Sequence, residues 1–123
     1  MHYMLMIIAD ETRALPPAAE LSKLAQDYRE FTEEIARSGH LLAGVQLQPT
    51  SKATTVRQRG GKRLVTDGPF AQGKEHLAGY YLVECQHLDE AIAMAGRIPG
   101  VRLGEAVEIR PLVPMPEFAP PSR

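Results

Sequence analysis

Residues 65–84 read VTDGPFAQGKEHLAGYYLVE. Asp67-Gly68-Pro69 is a tight turn signal, followed at once by the aromatic Phe70. Gln72, Lys74, Glu75 and His76 form a polar cluster, and the chain then enters an apolar run over 77–85. Alternation puts Leu77, Gly79, Tyr81 and Val83 on one face of that run and Ala78, Tyr80 and Leu82 on the other. A strand apolar on both faces belongs inside a sheet. The same alternation places Glu75 with Leu77, and Lys74 and His76 together on the opposite face.

Upstream, residues 53–59 and 62–66 alternate around Gly60-Gly61, which predicts a hairpin. Arg57, Arg59, Lys62 and Arg63 make its tip basic, read as a solvated tip with a small anion patch as the alternative. Residues 40–48 form a strand that Pro49 ends. Residues 2–9 form another, with Tyr3, Leu5 and Ile7 facing one way and Met4, Met6 and Ile8 the other. Between these two strands, Pro16-Pro17 starts a helix. Leu21, Leu24, Tyr28, Phe31 and Ile35 recur at steps of 3 and 4 as its apolar stripe. Gly39 is placed as its C-cap.

Downstream, a helix over 88–97 presents Leu88, Ala91, Ile92 and Ala95 to the core. His87 and Glu90 occupy capping-box positions, and histidine is a poor cap, so a frayed start is expected. Residues 105–110 form the last strand. Five of the ten prolines fall from Pro111 onward. The chain therefore divides into a domain over 1–112 and an extended proline-rich tail over 113–123.

The order β-α-β, hairpin, β-α-β predicts an α+β ferredoxin-like plait, with an antiparallel sheet and two helices on one face. The other face of the sheet is also apolar, so a homodimer packed sheet to sheet is expected. A chain of 123 residues with 44% apolar and 24% charged residues is one globular domain. A net charge of −1 gives no electrostatic reason to expect nucleic acid or an anionic membrane as partner. The N-terminal MHYMLMIIAD lacks a basic leader and is too short to span a bilayer. The single Cys85 excludes an internal disulfide. A cytoplasmic protein is expected.

VTDGPFAQGKEHLAGYYLVE, with GHLLAG at 39–44 and VEIRPL at 107–112, resembles the signature of the DGPF group of YCII-related proteins. The resemblance spans residues 1–115. It implies the plait fold, dimers, and a cleft between helix and sheet. Group members often occur beside genes for sigma factors of the extracytoplasmic-function type. Wider relatives include a dehydrochlorinase and proteins resembling muconolactone isomerases. Wider relatives also often carry a histidine on the first helix and an aspartate before a proline after the second, a proposed acid–base dyad. Aligned outward from GHLLAG, Tyr28 stands at the histidine position and Ile98 at the aspartate position, so both dyad members are absent. Asp67 is then the acid the motif offers.

Asp67 has two readings. As a turn residue, its carboxylate accepts the N–H of Phe70, Gly68 and Pro69 shape the turn, and Phe70 anchors the loop in the core. As a site residue, it is a general acid or base facing the cleft. Tyr28, Lys74 and His76 are the candidate substrate-binding groups. Tyr28 also fits core packing with its hydroxyl at the rim, and Lys74 and His76 also fit a solvated strand start. His2, His40, His76 and His87 are widely spaced and show no metal-ligand pattern, so no metal is expected. No nucleotide fingerprint is present, and no cofactor is expected. Cys85 lies among acids, which disfavours its thiolate and reads as structural.

The leading expectation is a cofactor-independent small-molecule enzyme of proton-transfer, isomerase or lyase type, with Asp67 as acid or base. The alternative is a non-catalytic dimeric module that binds a ligand or protein, with a regulatory role linked to a sigma factor of the extracytoplasmic-function type as one form of it.

Overall fold

The computed structural model describes residues 1–114. Apart from its first two residues, the expected tail over 113–123 lies outside the described residues. Six strands and two helices follow one another: β1 (His2–Asp10), α1 (Ala18–Arg37), β2 (Leu41–Gln46), β3 (Thr54–Arg59), β4 (Lys62–Asp67), β5 (Glu75–Glu84), α2 (Leu88–Gly96) and β6 (Ala106–Pro111). Short 3-10 turns occupy Thr50–Lys52 and Pro99–Leu103.

β2, β5, β1 and β6 form one sheet in that order, with every neighbouring pair antiparallel. β3 and β4 form a separate two-stranded sheet. This is the expected ferredoxin-like α+β plait, with the hairpin set apart from it. Tyr3, Leu5 and Ile7 of β1 and Tyr81 and Val83 of β5 are buried on one sheet face. Phe31 and Ile35 of α1 and Ala91, Met94 and Ala95 of α2 pack with them in a single core. Phe31 meets Tyr81 edge to face at 5.4 Å between ring centroids. Both helices thus lie on one face. Met4, Met6 and Ile8 alternate to the other face and are half-buried.

Several local expectations change. The stripe of α1 is buried only in its C-terminal half. Phe31 and Ile35 are enclosed, whereas Leu21 is 38% exposed. On α2 the buried positions are Ala91, Met94 and Ala95, continued by Ile98, while Leu88 and Ile92 are half exposed. His87 does cap α2. Its Nδ1 accepts the N–H of Glu90 at 3.2 Å, and the Glu90 carboxylate accepts the N–H of Gln86 at 2.9 Å. Imidazole supplies an acceptor when Nδ1 is unprotonated, which composition rules for caps underrate.

The face assignment at the start of β5 also changes. Ile7 pairs with Gly79 but Ile8 pairs with Leu77, so Ala78 is an extra residue, a β-bulge. Beyond it the alternation is inverted. Leu77 joins the face of Ile8 and Tyr80, and His76, opposite Ala9, returns to the face of Gly79 and Tyr81.

Candidate functional site

The uncovered N-terminal half of the α1 stripe borders a cavity of about 830 Å³. α1 forms one wall with Leu21, Leu24, Ala25 and Tyr28. β2 and β5 form the floor, where Gly44 and Gly79 replace side chains by backbone. A Cβ on Gly44 would stand 2.9 Å from a Tyr81 ring carbon, and one on Gly79 would stand 2.7 Å from the carbonyl oxygen of Val45. These glycines let β2 and β5 approach each other beneath the cavity. The volume is that of a typical small-molecule site, largely apolar with a few placed polar groups.

Two of those polar groups, Tyr28 and Glu105, meet each other. The Tyr28 hydroxyl accepts the N–H of Gly100 at 3.1 Å and donates toward Glu105 Oε1 at 3.5 Å. Gly100 sits in the 3-10 turn after α2, and the Gly100 carbonyl accepts the N–H of Glu105 at 3.1 Å. That turn closes through Gly104, whose φ of 94° lies in the left-handed region. The backbone hydrogen bonds therefore deliver Glu105 to Tyr28. Burial, and then the Glu105 carboxylate, push the Tyr28 hydroxyl up to about 12. Tyr28 is a proton donor throughout the neutral range. Thr32 of α1 and the Tyr81 hydroxyl of β5, both in the lining, share a 2.8 Å hydrogen bond. Arg29 and Glu33 stand at the helix side, and among the described residues Arg29 makes no ion pair.

Of the candidate site residues Asp67, Tyr28, Lys74 and His76, Tyr28 lines this cavity and the others do not. Asp67 ends β4, opposite Thr54, and is exposed. Among the described residues its carboxylate accepts no hydrogen bond. The turn is held by backbone instead. Gly68 N–H donates to Ala53 at 2.8 Å, and the Thr55 hydroxyl donates to the Gly68 carbonyl at 2.7 Å. Gly68 has φ of 100°, which explains the glycine of the motif. Phe70 does not anchor the loop in the core. It is 69% exposed and lies beneath the Arg57 guanidinium, 5.4 Å from it. The expected Asx-turn bond from the Phe70 N–H to the Asp67 carboxylate does not form, and the backbone bond of Gly68 to Ala53 holds the turn in its place.

Lys74 pairs with Asp10 at 3.7 Å, and its carbonyl accepts the N–H of Glu11 at 2.9 Å. His76 Nε2 lies 2.9 Å from the Gly73 carbonyl. Both brace the entry of β5. Cys85 is buried, and burial followed by the nearby Glu90 carboxylate raises its thiol, in line with a structural role. Among the described residues no group of three His, Cys, Asp or Glu is arranged to hold a metal. No described helix is long and apolar enough to cross a membrane.

Glu105, Thr32, Gly44 and Gly79 escaped the sequence reading. Glu105 lies 77 positions from Tyr28, and no spacing rule connects them. A signal existed only for the glycines, as isolated Gly within strand patterns marks close backbone approach.

A family model described as YCII-related domain matches residues 1–116. An uncharacterized protein of Rhizobium meliloti (strain 1021) is 35% identical over 94 residues, covering 76% of this chain and 76% of that protein.

Proposed function

The chain belongs to the YCII-related domain family, and on that premise we propose that the cavity between α1 and the β2–β5 floor binds a small, mainly apolar molecule bearing a carbonyl or carboxylate. The Tyr28–Glu105 pair is its proton-handling centre. Tyr28 donates a hydrogen bond to the ligand oxygen, and Glu105 removes or returns a proton at the adjacent carbon. No cofactor is needed for such an isomerisation or elimination. The single observation that supports this reading is the Tyr28 hydroxyl, fixed by Gly100 and beside Glu105, with both Tyr28 and Glu105 lining a mainly apolar cavity of about 830 Å³. In this reading Asp67 serves the hairpin rather than the chemistry.

The test is a screen of small aromatic and unsaturated carboxylic acids by thermal shift and by proton–deuterium exchange at the ligand carbon. Glu105→Gln should retain binding and lose exchange. Tyr28→Phe should weaken both. Exchange at full rate in Glu105→Gln would remove Glu105 from the mechanism.

A second reading rests on Met4, Met6, Ile8, Tyr80 and Leu82, which make the face opposite the helices apolar and half-buried. Two copies pairing over this face form a dimeric module, with or without turnover. Sedimentation of the wild type against Met6→Asp tests it.

A further inference from the structure

The β3–β4 hairpin is an arm. It shares no sheet with the rest of the chain. Every residue of β4 is exposed, and every residue of β3 except Thr55. Its ties to the body lie at its base, where the Glu11 carboxylate takes the N–H of Thr50 at 3.0 Å and also its hydroxyl. A two-stranded hairpin is marginally stable alone in water. This one also exposes apolar side chains on both faces. Val56 and Val65 are cross-strand partners, 62% and 61% exposed. Leu64 and Phe70 lie exposed as well.

Charge separates arm from body. Of the chain's 14 basic and 15 acidic residues, five and one fall between residues 50 and 73: Lys52, Arg57, Arg59, Lys62, Arg63 and Asp67. Nine basic and 14 acidic residues remain elsewhere, so a basic arm extends from an acidic body.

We propose that this arm docks on the body of a second copy of the chain. Val56, Val65 and Phe70 supply the buried contact, and the four basic residues from Arg57 to Arg63 meet body carboxylates. Charge complementarity selects this occupant, because each copy carries both the basic arm and a body with more acidic than basic residues. The inference rests on the pairing of two copies proposed above but uses a different surface from the open sheet face.

The experiment uses the full chain with a photoreactive benzoylphenylalanine in place of Val65. Isotopically heavy and light copies are mixed and irradiated, and adducts are mapped by mass spectrometry. Mixed heavy–light adducts outside residues 50–73 are expected. Sedimentation then compares the wild type with Val56→Asp/Val65→Asp and with Arg57→Gln/Arg59→Gln/Lys62→Gln/Arg63→Gln. Each variant should keep the wild-type circular dichroism and weaken self-association by about tenfold or more, the loss expected for interface anchors. Adducts confined within one copy, or variants that associate as tightly as wild type, would overturn the proposal. So would arm-dependent binding of duplex DNA or anionic vesicles with self-association unchanged. Met6→Asp keeps the two surfaces apart. If it dissociates the pair while the arm variants do not, sheet pairing stands and the arm proposal falls.

Discussion

The Tyr28 hydroxyl holds the N–H of Gly100 at 3.1 Å, joining the middle of α1 to the turn that follows α2. Gly100 is buried in the folded chain. Tyr28→Phe leaves it unsatisfied and should cost about 1–3 kcal/mol. Urea denaturation checks this. An unchanged midpoint would mean that the turn relaxes to another acceptor.

Gly79 and Gly44 should not respond alike to a methyl group. At Gly79 the new carbon meets the Val45 carbonyl, fixed in the β2–β5 ladder, at 2.7 Å. Gly79→Ala should lose about 1–3 kcal/mol, the cost of forcing atoms into a packed site. At Gly44 it meets the Tyr81 ring, which turns more readily than backbone shifts. Gly44→Ala should be the milder variant by thermal melting.

Glu90 should contribute to acid sensitivity. The Gln86 N–H, first among its neighbours, lowers the Glu90 carboxyl below its ordinary 4.5 in the folded chain. A depressed folded value means that the contribution is complete above the unfolded value, near pH 4.5. It is lost as pH falls through the folded value below that. Glu90→Gln should flatten the stability profile on the acid side of pH 4.5 and leave its slope at neutral pH unchanged. Denaturation at stepped pH reads both slopes.

The Cys85 thiol is buried, and burial with the Glu90 carboxylate pushes it above its ordinary 9.0. It should react with Ellman's reagent at pH 8 only as fast as the fold opens. Reaction at the rate of a free thiol in native buffer would contradict its burial.

The plait was legible because its signals are local. Period-2 runs, a 3-4 helical stripe and Gly60-Gly61 each specify an element without knowledge of its neighbours. What faces those elements was not legible. The stripe of α1 is uniformly apolar from Leu21 to Ile35, yet only its second half meets the core and its first half walls a cavity. Periodicity shows that a face is apolar, not what lies opposite. Phe70 misled for the same reason, since an aromatic after a turn reads as an anchor and here shields only the Arg57 guanidinium. Glu105 gave no signal because its link to Tyr28 depends on how the turn after α2 folds back.

The bulge at Ala78 bears on which changes of length the chain tolerates. It is a place where β5 already carries one residue more than β1. Removing Ala78 would restore an even ladder and leave residues 75–77 on the faces they already occupy. The strand beyond Gly79 would keep its register. The same deletion made between Tyr80 and Val83 would turn core residues outward and fail. β5 therefore divides at Gly79 into a half whose count is adjustable and a half whose count is fixed, and natural insertions or deletions among relatives should fall on the hairpin side of that point.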